Sequence, residues 1–287
     1  MPLFYGGGVW KVPAFRYSGW MEIPIYQVDA FASELFRGNP AAVCPLERWL
    51  PDEILQAIAA ENNLAETAYY VASNSRYDLR WFTPTVEVDL CGHATVATAS
   101  VILDIRGEIA GPRVVFDSRS GELAVERSME NGRALYALDF PAKPPQECRV
   151  DPMLETALGA KPLLTLLGHG YFCVFDAEEQ VRALRPNMDQ LAALDQPMLI
   201  ATAPGSDCDF VSRFFAPAKG IPEDPVTGSA HTTLIPYWSK KLNKKRMFGR
   251  QISARGGELW CEDLGARVRI AGHAAKYLEG QIHIPCN

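Results

Sequence analysis

Apolar and polar positions alternate with a period of two along most of this chain, and two long apolar stretches of helical character interrupt the alternation. Residues 23–28 read as a strand, 31–39 as a loop and 40–44 as a second strand. Pro51-Asp52-Glu53 opens a helix whose apolar positions Ile54, Leu55, Ile58 and Ala59 recur at helical spacing as far as Asn62-Asn63. Extended patterns follow at 67–71 and 79–82. Residues 94–105 are apolar almost all round, which predicts a helix enclosed by a sheet. Strands are predicted at 113–116, 122–126 and 134–140.

The second half repeats this order. It reads as strands at 163–167 and 172–175, short helices at 178–184 and 188–194, and strands at 198–203 and 210–215. An apolar helix at 230–242 follows, in which Pro236 predicts a kink, and then strands at 252–254, 258–261, 267–270 and 280–284. The repetition reaches individual residues. Arg80-Trp81-Phe82-Thr83-Pro84, seven residues, then Gly92-His93-Ala94-Thr95 returns as Arg213-Phe214-Phe215-Ala216-Pro217, ten residues, then Gly228-Ser229-Ala230-His231. The expected fold class is α+β: two similar lobes, 21–140 and 141–287, each a mostly antiparallel sheet wrapped around a central helix. The last strand, near 278–284, is free to return to the first lobe. Residues 1–20 have neither the apolar core of a signal peptide nor a transit-peptide bias, so they read as an extension without catalytic role, with Met21 as the functional start.

At 287 residues the chain is long enough for two ordinary domains. Its 48% hydrophobic and 22% charged residues are those of a soluble globular protein. A net charge of −6 argues against a nucleic-acid partner, and the basic cluster Lys240, Lys241, Lys244, Lys245 and Arg246 reads as a solvated helix end. No apolar run approaches the ~18–20 residues of a membrane span. Seven cysteines at irregular spacing predict free thiols in the cytoplasm.

Two helix starts of this kind each offer unpaired N–H groups and a partial positive charge, so facing one another they form a cleft for a carboxylate. Backbone near Gly92 and Gly228, with Ser229, is the expected binding element. Glu66 lies at the mouth of an otherwise apolar strand, where a desolvated carboxylate has a raised pKa and exchanges protons near neutrality; the alternative is an outward-facing strand glutamate. His93 at a helix start is expected to be neutral, as a catalytic donor or acceptor or in a structural role. Cys91 is either a thiolate activated by the helix start or a small buried residue. Asp224 either orients a proton or closes a turn, and Ser229 either binds a carboxylate or caps the helix. Thr227 and His231 read as structural. The five histidines are scattered and no Cys-x-x-Cys pairs them, so no metal is expected; no nucleotide motif appears, so no cofactor is expected either.

Together with Asp29-Ala30-Phe31, Phe36-Arg37-Gly38-Asn39-Pro40-Ala41-Ala42-Val43, Asn63-Leu64-Ala65-Glu66-Thr67 and Glu223-Asp224-Pro225-Val226-Thr227, these motifs resemble, in order, the phenazine-biosynthesis isomerase (PhzF-like) family. The resemblance covers Met21 to nearly the C-terminus and implies a diaminopimelate-epimerase-like fold, usually a homodimer. It implies a cofactor-free isomerase that moves a proton on a small carboxylate-bearing ring compound. The family's catalytic glutamate falls on Glu66, its histidine on His93, its aspartate on Asp224 and its glycine-serine pair on Gly228 and Ser229. Related epimerases oppose two cysteines; here Cys91 takes the first place, and Val226 is expected at the second. The alternatives are a single-cysteine racemase, epimerase or hydrolase using Cys91 with His93, and a non-catalytic small-molecule binding protein.

Overall fold

The computed structural model describes residues 19–286, and their strands join in one 17-stranded sheet. Antiparallel neighbours predominate, and each parallel pair encloses a helix, because parallel strands need a long crossover connection. In the first half, Asn39–Leu46 runs parallel to Glu66–Ser73 across the helix Asp52–Asn62. Arg76–Phe82 likewise runs parallel to Arg113–Ser118 across the helix Gly92–Ser100. In the second half, Tyr171–Val174 pairs with Leu199–Pro204 across the short helices Glu178–Ala183 and Met188–Ala192, and Phe210–Ala216 with Arg246–Gln251 across the helix Gly228–Leu242. An antiparallel meander closes each half: Arg113–Ser118, Gly121–Glu130 and Arg133–Pro141 in one, Arg246–Gln251, Gly257–Asp263 and Arg267–Gly272 in the other. The repeated residues therefore mark a repeated topology, and the α+β class holds.

The two meanders meet where Arg267–Gly272 pairs antiparallel with Arg133–Pro141. The chain then crosses back, and Ala274–Cys286 lies antiparallel to Gly19–Ala30. This strand is far longer than the expected 280–284. Gly19 and Trp20 take part in it, so only 1–18 of the expected extension lie outside the described residues.

All residues from His93 to Ser100 in the first central helix are buried against the strands around it. Its hydroxyls need no outside partners: Thr95, Thr98 and Ser100 donate to the carbonyls of Cys91, Ala94 and Ala97 at 2.6–2.7 Å. The second central helix continues through Pro236, the position at which the sequence predicts a kink. Pro236 has no N–H for the carbonyl of Thr232, which instead accepts from the backbone N–H of Lys143 at 2.9 Å.

The repeated arginines explain why each copy holds its corner. Arg80 forms a two-pronged ion pair with Glu87 at 2.7 and 2.8 Å, and Arg213 forms one with Glu223 at 2.7 and 2.9 Å. Each guanidinium also lies over the aromatic ring two residues on, Phe82 at 5.1 Å and Phe215 at 4.9 Å. Both pairs tie the strand to the segment leading into the next helix start.

The expected strand at 252–254 is absent; the strand is Arg246–Gln251, one step earlier. Beyond it the chain is drawn off the sheet. Ser253 donates to the carbonyl of Pro225 at 2.8 Å, and Arg255 reaches Asp29 at 2.8 Å and the carbonyl of Gly38 at 2.9 Å.

Arg213 is buried, whereas the side chain of Arg76 in its ion pairs is 43% exposed. Arg213→Ala is expected to lower stability by about 3 kcal/mol, as when one partner of a buried pair is lost. Arg76→Ala should cost far less, because solvent screens its exposed ion pairs. Urea denaturation of the two variants compares them directly; equal losses would contradict the assignment of Arg213 as the strut of its corner.

Candidate active site

The starts of the two central helices touch. A Cβ placed on Gly92 would lie 4.0 Å from the Cα of Gly228, and one on Gly228 3.9 Å from the Cα of Gly92. Cys91 and Thr227 occupy the cap positions, each one residue before its glycine. Thr227, rather than Val226, is therefore the counterpart of Cys91, and no second thiol opposes it. The ring of Phe140 closes the side of Gly92, 3.6 Å from a Cβ placed there. With both glycines lacking side chains, two positive helix ends converge on one small volume.

Glu66 begins the strand Glu66–Ser73, beside Ala41 of the neighbouring strand, and its carboxylate turns toward the first helix start. Its Oε2 lies 3.0 Å from Nε2 of His93. The contact is a close ion pair without hydrogen-bond alignment, so this buried oxygen has no aligned donor among the described residues. The Sγ of Cys91 lies 3.5 Å from Nδ1 of the same ring.

Burial favours the neutral form of Glu66, but the charge of His93 and the polar contacts of His93 and Cys91 outweigh it, so its pKa is lowered. The expected raised value is thereby corrected. Burial likewise opposes a charged His93, yet the Cys91 sulfur and the Glu66 carboxylate beside its two nitrogens raise its pKa well above the usual histidine value. The shift is toward the imidazolium, opposite in direction to the neutral ring expected from the helix dipole alone. For Cys91, burial and the Glu66 charge push the thiol up to about 11, so it is not an activated thiolate.

Asp224 ends the strand Ile221–Asp224, which the periodicity did not reveal. It keeps some exposed surface, but protein atoms crowd the carboxylate, and this crowding raises its pKa to about 6 despite the nearby charge of His93 and donors from Thr227 and Asn39. Asn39 Nδ2 lies 2.8 Å from Oδ1, and the Thr227 hydroxyl lies 2.5 Å from Oδ2. The Asp224 carboxylate is thus held from two sides, and the Thr227 hydroxyl is one of its partners.

His231 does have a structural place. It is fully buried, its Nδ1 is 2.8 Å from the carbonyl of Thr227, and burial lowers its pKa to about 4, so it is a neutral N–H donor. Ser229 is partly exposed one residue inside the helix, and the cap position belongs to Thr227. The structure thus brings together Glu66, His93, Asp224, Gly92, Gly228, Cys91 and Thr227. Sequence reasoning assigned no individual role to Asn39, although it lies in the quoted motif Phe36-Arg37-Gly38-Asn39-Pro40, and none to Gln251, which no local pattern marks. It also missed that Glu66, Cys91 and His93 offer donor atoms within 4.8 Å of one another.

Residues 28–280 match the family described as phenazine biosynthesis-like protein, PhzC-PhzF. The chain belongs to this family. It is 50% identical over 264 residues to an uncharacterized isomerase of Pseudomonas aeruginosa, across 92% of this chain and 100% of that one. It is also similar to the crystal structure of a PhzF family protein from Enterococcus faecalis, with a TM-score of 0.88 and 48% identity over 91% of this chain and 99% of the other. A hydroxyproline epimerase from Agrobacterium vitis matches at a TM-score of 0.58 and 10% identity, over 93% of this chain and 92% of that one, which shows a shared fold alone. No described helix is long and apolar enough to cross a membrane.

In this PhzF family protein, the Glu66–His93 pair has a defined pH signature. A lowered glutamate pKa stabilises the fold above its unfolded value of 4.5, and a raised histidine pKa does so below its unfolded value of 6.5, so the contribution is full between these values. It fades as the pH falls through the folded value of Glu66 or rises through that of His93. In Glu66→Gln, the midpoint of His93 followed by imidazole NMR is expected to fall; an unchanged midpoint would refute the pair. Cys91 should react with iodoacetamide at pH 8 far more slowly than the partly exposed Cys148, as peptide mapping would record.

Proposed function

We propose that this protein is a cofactor-independent isomerase that moves a proton between carbons of a small carboxylate-bearing metabolite, cyclic or aromatic-like compounds included. The observation that carries this reading is two carboxyls in contrasting settings beside the paired helix starts: Glu66 3.0 Å from the His93 ring, and Asp224 held by the neutral donors Asn39 and Thr227. Such a pair provides a base and a proton reservoir near neutral pH.

In the proposed reaction, Glu66 takes the proton of an acidified C–H bond, and the bond's electron pair passes into the adjoining π system. The N–H groups at Gly92 and Gly228, with the Ser229 hydroxyl, hold the carboxylate and its enolate-like charge. The proton is returned to a second carbon, with His93 tuning Glu66 and Asp224 able to relay the proton. Bonds broken and formed balance without an oxidant or reductant. The relative's name, an isomerase, supports the same class. A single-cysteine mechanism is disfavoured by the raised thiol of Cys91, and a two-cysteine one by Thr227 at the opposing corner. The family resemblance supports a homodimer, and the six free cysteines among the described residues support a cytoplasmic setting.

The test is incubation with a metabolite pool in deuterated water, read as mass shifts and isomer ratios. Glu66→Gln should remain folded and lose ~10²–10⁴-fold in exchange rate, as when a general base is removed. Near wild-type exchange in this variant would reject Glu66 as the proton carrier. Gly228→Val should weaken binding of a carboxylate ligand more than it weakens folding, because a Cβ there meets only Gly92 while filling the space between the helix starts. Exhaustive chelation should leave activity intact; a loss restored by zinc or magnesium would overturn the metal-free reading.

A further inference from the structure

Three neutral side chains around Asp224 are oriented by backbone groups that permit only one direction of hydrogen bonding. The carbonyl of Val226 can only accept, so Asn39, which meets it at 2.9 Å, must turn its NH₂ there. The same NH₂ supplies the hydrogen for Asp224 Oδ1 at 2.8 Å. Gln251 is determined in the same way: its Oε1 accepts from the backbone N–H of Thr227 at 2.9 Å, and its Nε2 donates to the carbonyl of Asp224 at 2.7 Å. That Nε2 also lies 3.2 Å from the Thr227 hydroxyl, which therefore accepts from Gln251 and directs its own hydrogen to Asp224 Oδ2 at 2.5 Å. Asn39 and Gln251 are completely buried and Thr227 nearly so.

We propose that Asn39, Thr227 and Gln251 form a one-way donor cradle that holds Asp224 in place and confines its exchangeable proton to lone pairs that neither Asn39 nor Thr227 occupies. All three are positioning residues acting through Asp224. Asn39 has a further consequence. It sits at the start of the strand Asn39–Leu46, which pairs with the start of Glu66–Ser73, so it ties a carboxyl from the second half to the strand framework that carries Glu66. The charged groups acting on Asp224 are His93 from the first central helix and Glu66 from its strand; adjacent Glu223 is engaged by Arg213. The cradle's neutral donors favour ionised Asp224 and so offset part of the effect of burial on the carboxyl. The catalytic value of the cradle rests on the isomerase reading above, but its effect on Asp224 does not.

The test follows the carboxyl carbon of Asp224 by NMR in aspartate-labelled protein, with the signal assigned from Asp224→Asn. Thr227→Val keeps the side-chain shape and removes the donor, and should raise the Asp224 midpoint by about one pH unit. Thr227→Ser, which restores a hydroxyl, should bring it back. A Thr227→Val midpoint equal to wild type would overturn the cradle. Should that variant not fold, the wild-type protein decides: the side-chain amide signals of Asn39 must shift with the midpoint of Asp224, and flat signals would overturn the proposal. In the deuterium-exchange assay, the pH profile of Thr227→Val should move by the same amount as its NMR midpoint, and a profile that stays in place would overturn the positioning role. If Glu66→Gln exchanges like wild type, the isomerase reading fails while the NMR results still judge the cradle.

Discussion

Like partial charges resist being brought together, yet the two central helices meet start to start at Gly92 and Gly228, with about 4 Å between a Cβ position on one and the Cα of the other. Any larger side chain there would occupy the space where the two sets of N–H groups converge. Negative charge is the compensation, and the fold places two carboxylates there, Glu66 from the first half and Asp224 from the second. The duplicated topology makes this meeting possible, since each half carries its helix on an equivalent parallel crossover.

The two carboxyls differ because their partners differ. Glu66 contacts an imidazole at 3.0 Å, and a charge in contact outweighs its desolvation. Asp224 receives neutral donors from Asn39 and Thr227, and these do not fully offset its burial. One protonation site is thus biased toward the anion and the other left near its titration point. Cys91 completes the first cluster as a protonated thiol against the ring of His93, a packing and hydrogen-bonding partner.

Contacts between distant parts of the chain maintain the cleft. Arg255 clamps Asp29 and the carbonyl of Gly38, Asn39 grips Asp224 and Val226, and Ala274–Cys286 returns to pair with Gly19–Ala30. Around Arg255 these contacts also account for the displaced strand. An apolar-polar alternation at 252–254 is consistent with a strand, but Ser253 and Arg255 have stronger partners in Pro225 and Asp29, and the backbone leaves the ladder to meet them.

Much of the architecture was legible because it is written locally. Alternation marked Gly19–Ala30 and Glu66–Ser73, all-round apolarity marked the enclosed helix at Gly92, and the repeated Arg-aromatic-Phe corners announced the duplication. The family motifs singled out Glu66, His93 and Asp224 before any distance was known. Asn39 and Asp224, by contrast, are 185 positions apart, and Gln251 is 27 positions from Asp224, so no local pattern could pair them. Pro236 announces a missing hydrogen bond inside its helix, but the partner that the carbonyl of Thr232 gains, Lys143, lies outside the helix. Residue types and their periodicity thus settle which groups are present and which faces are apolar. Their protonation depends on enclosure and on neighbours brought in from afar, and so the pKa values of Glu66 and His93 shift in directions opposite to those their local settings implied.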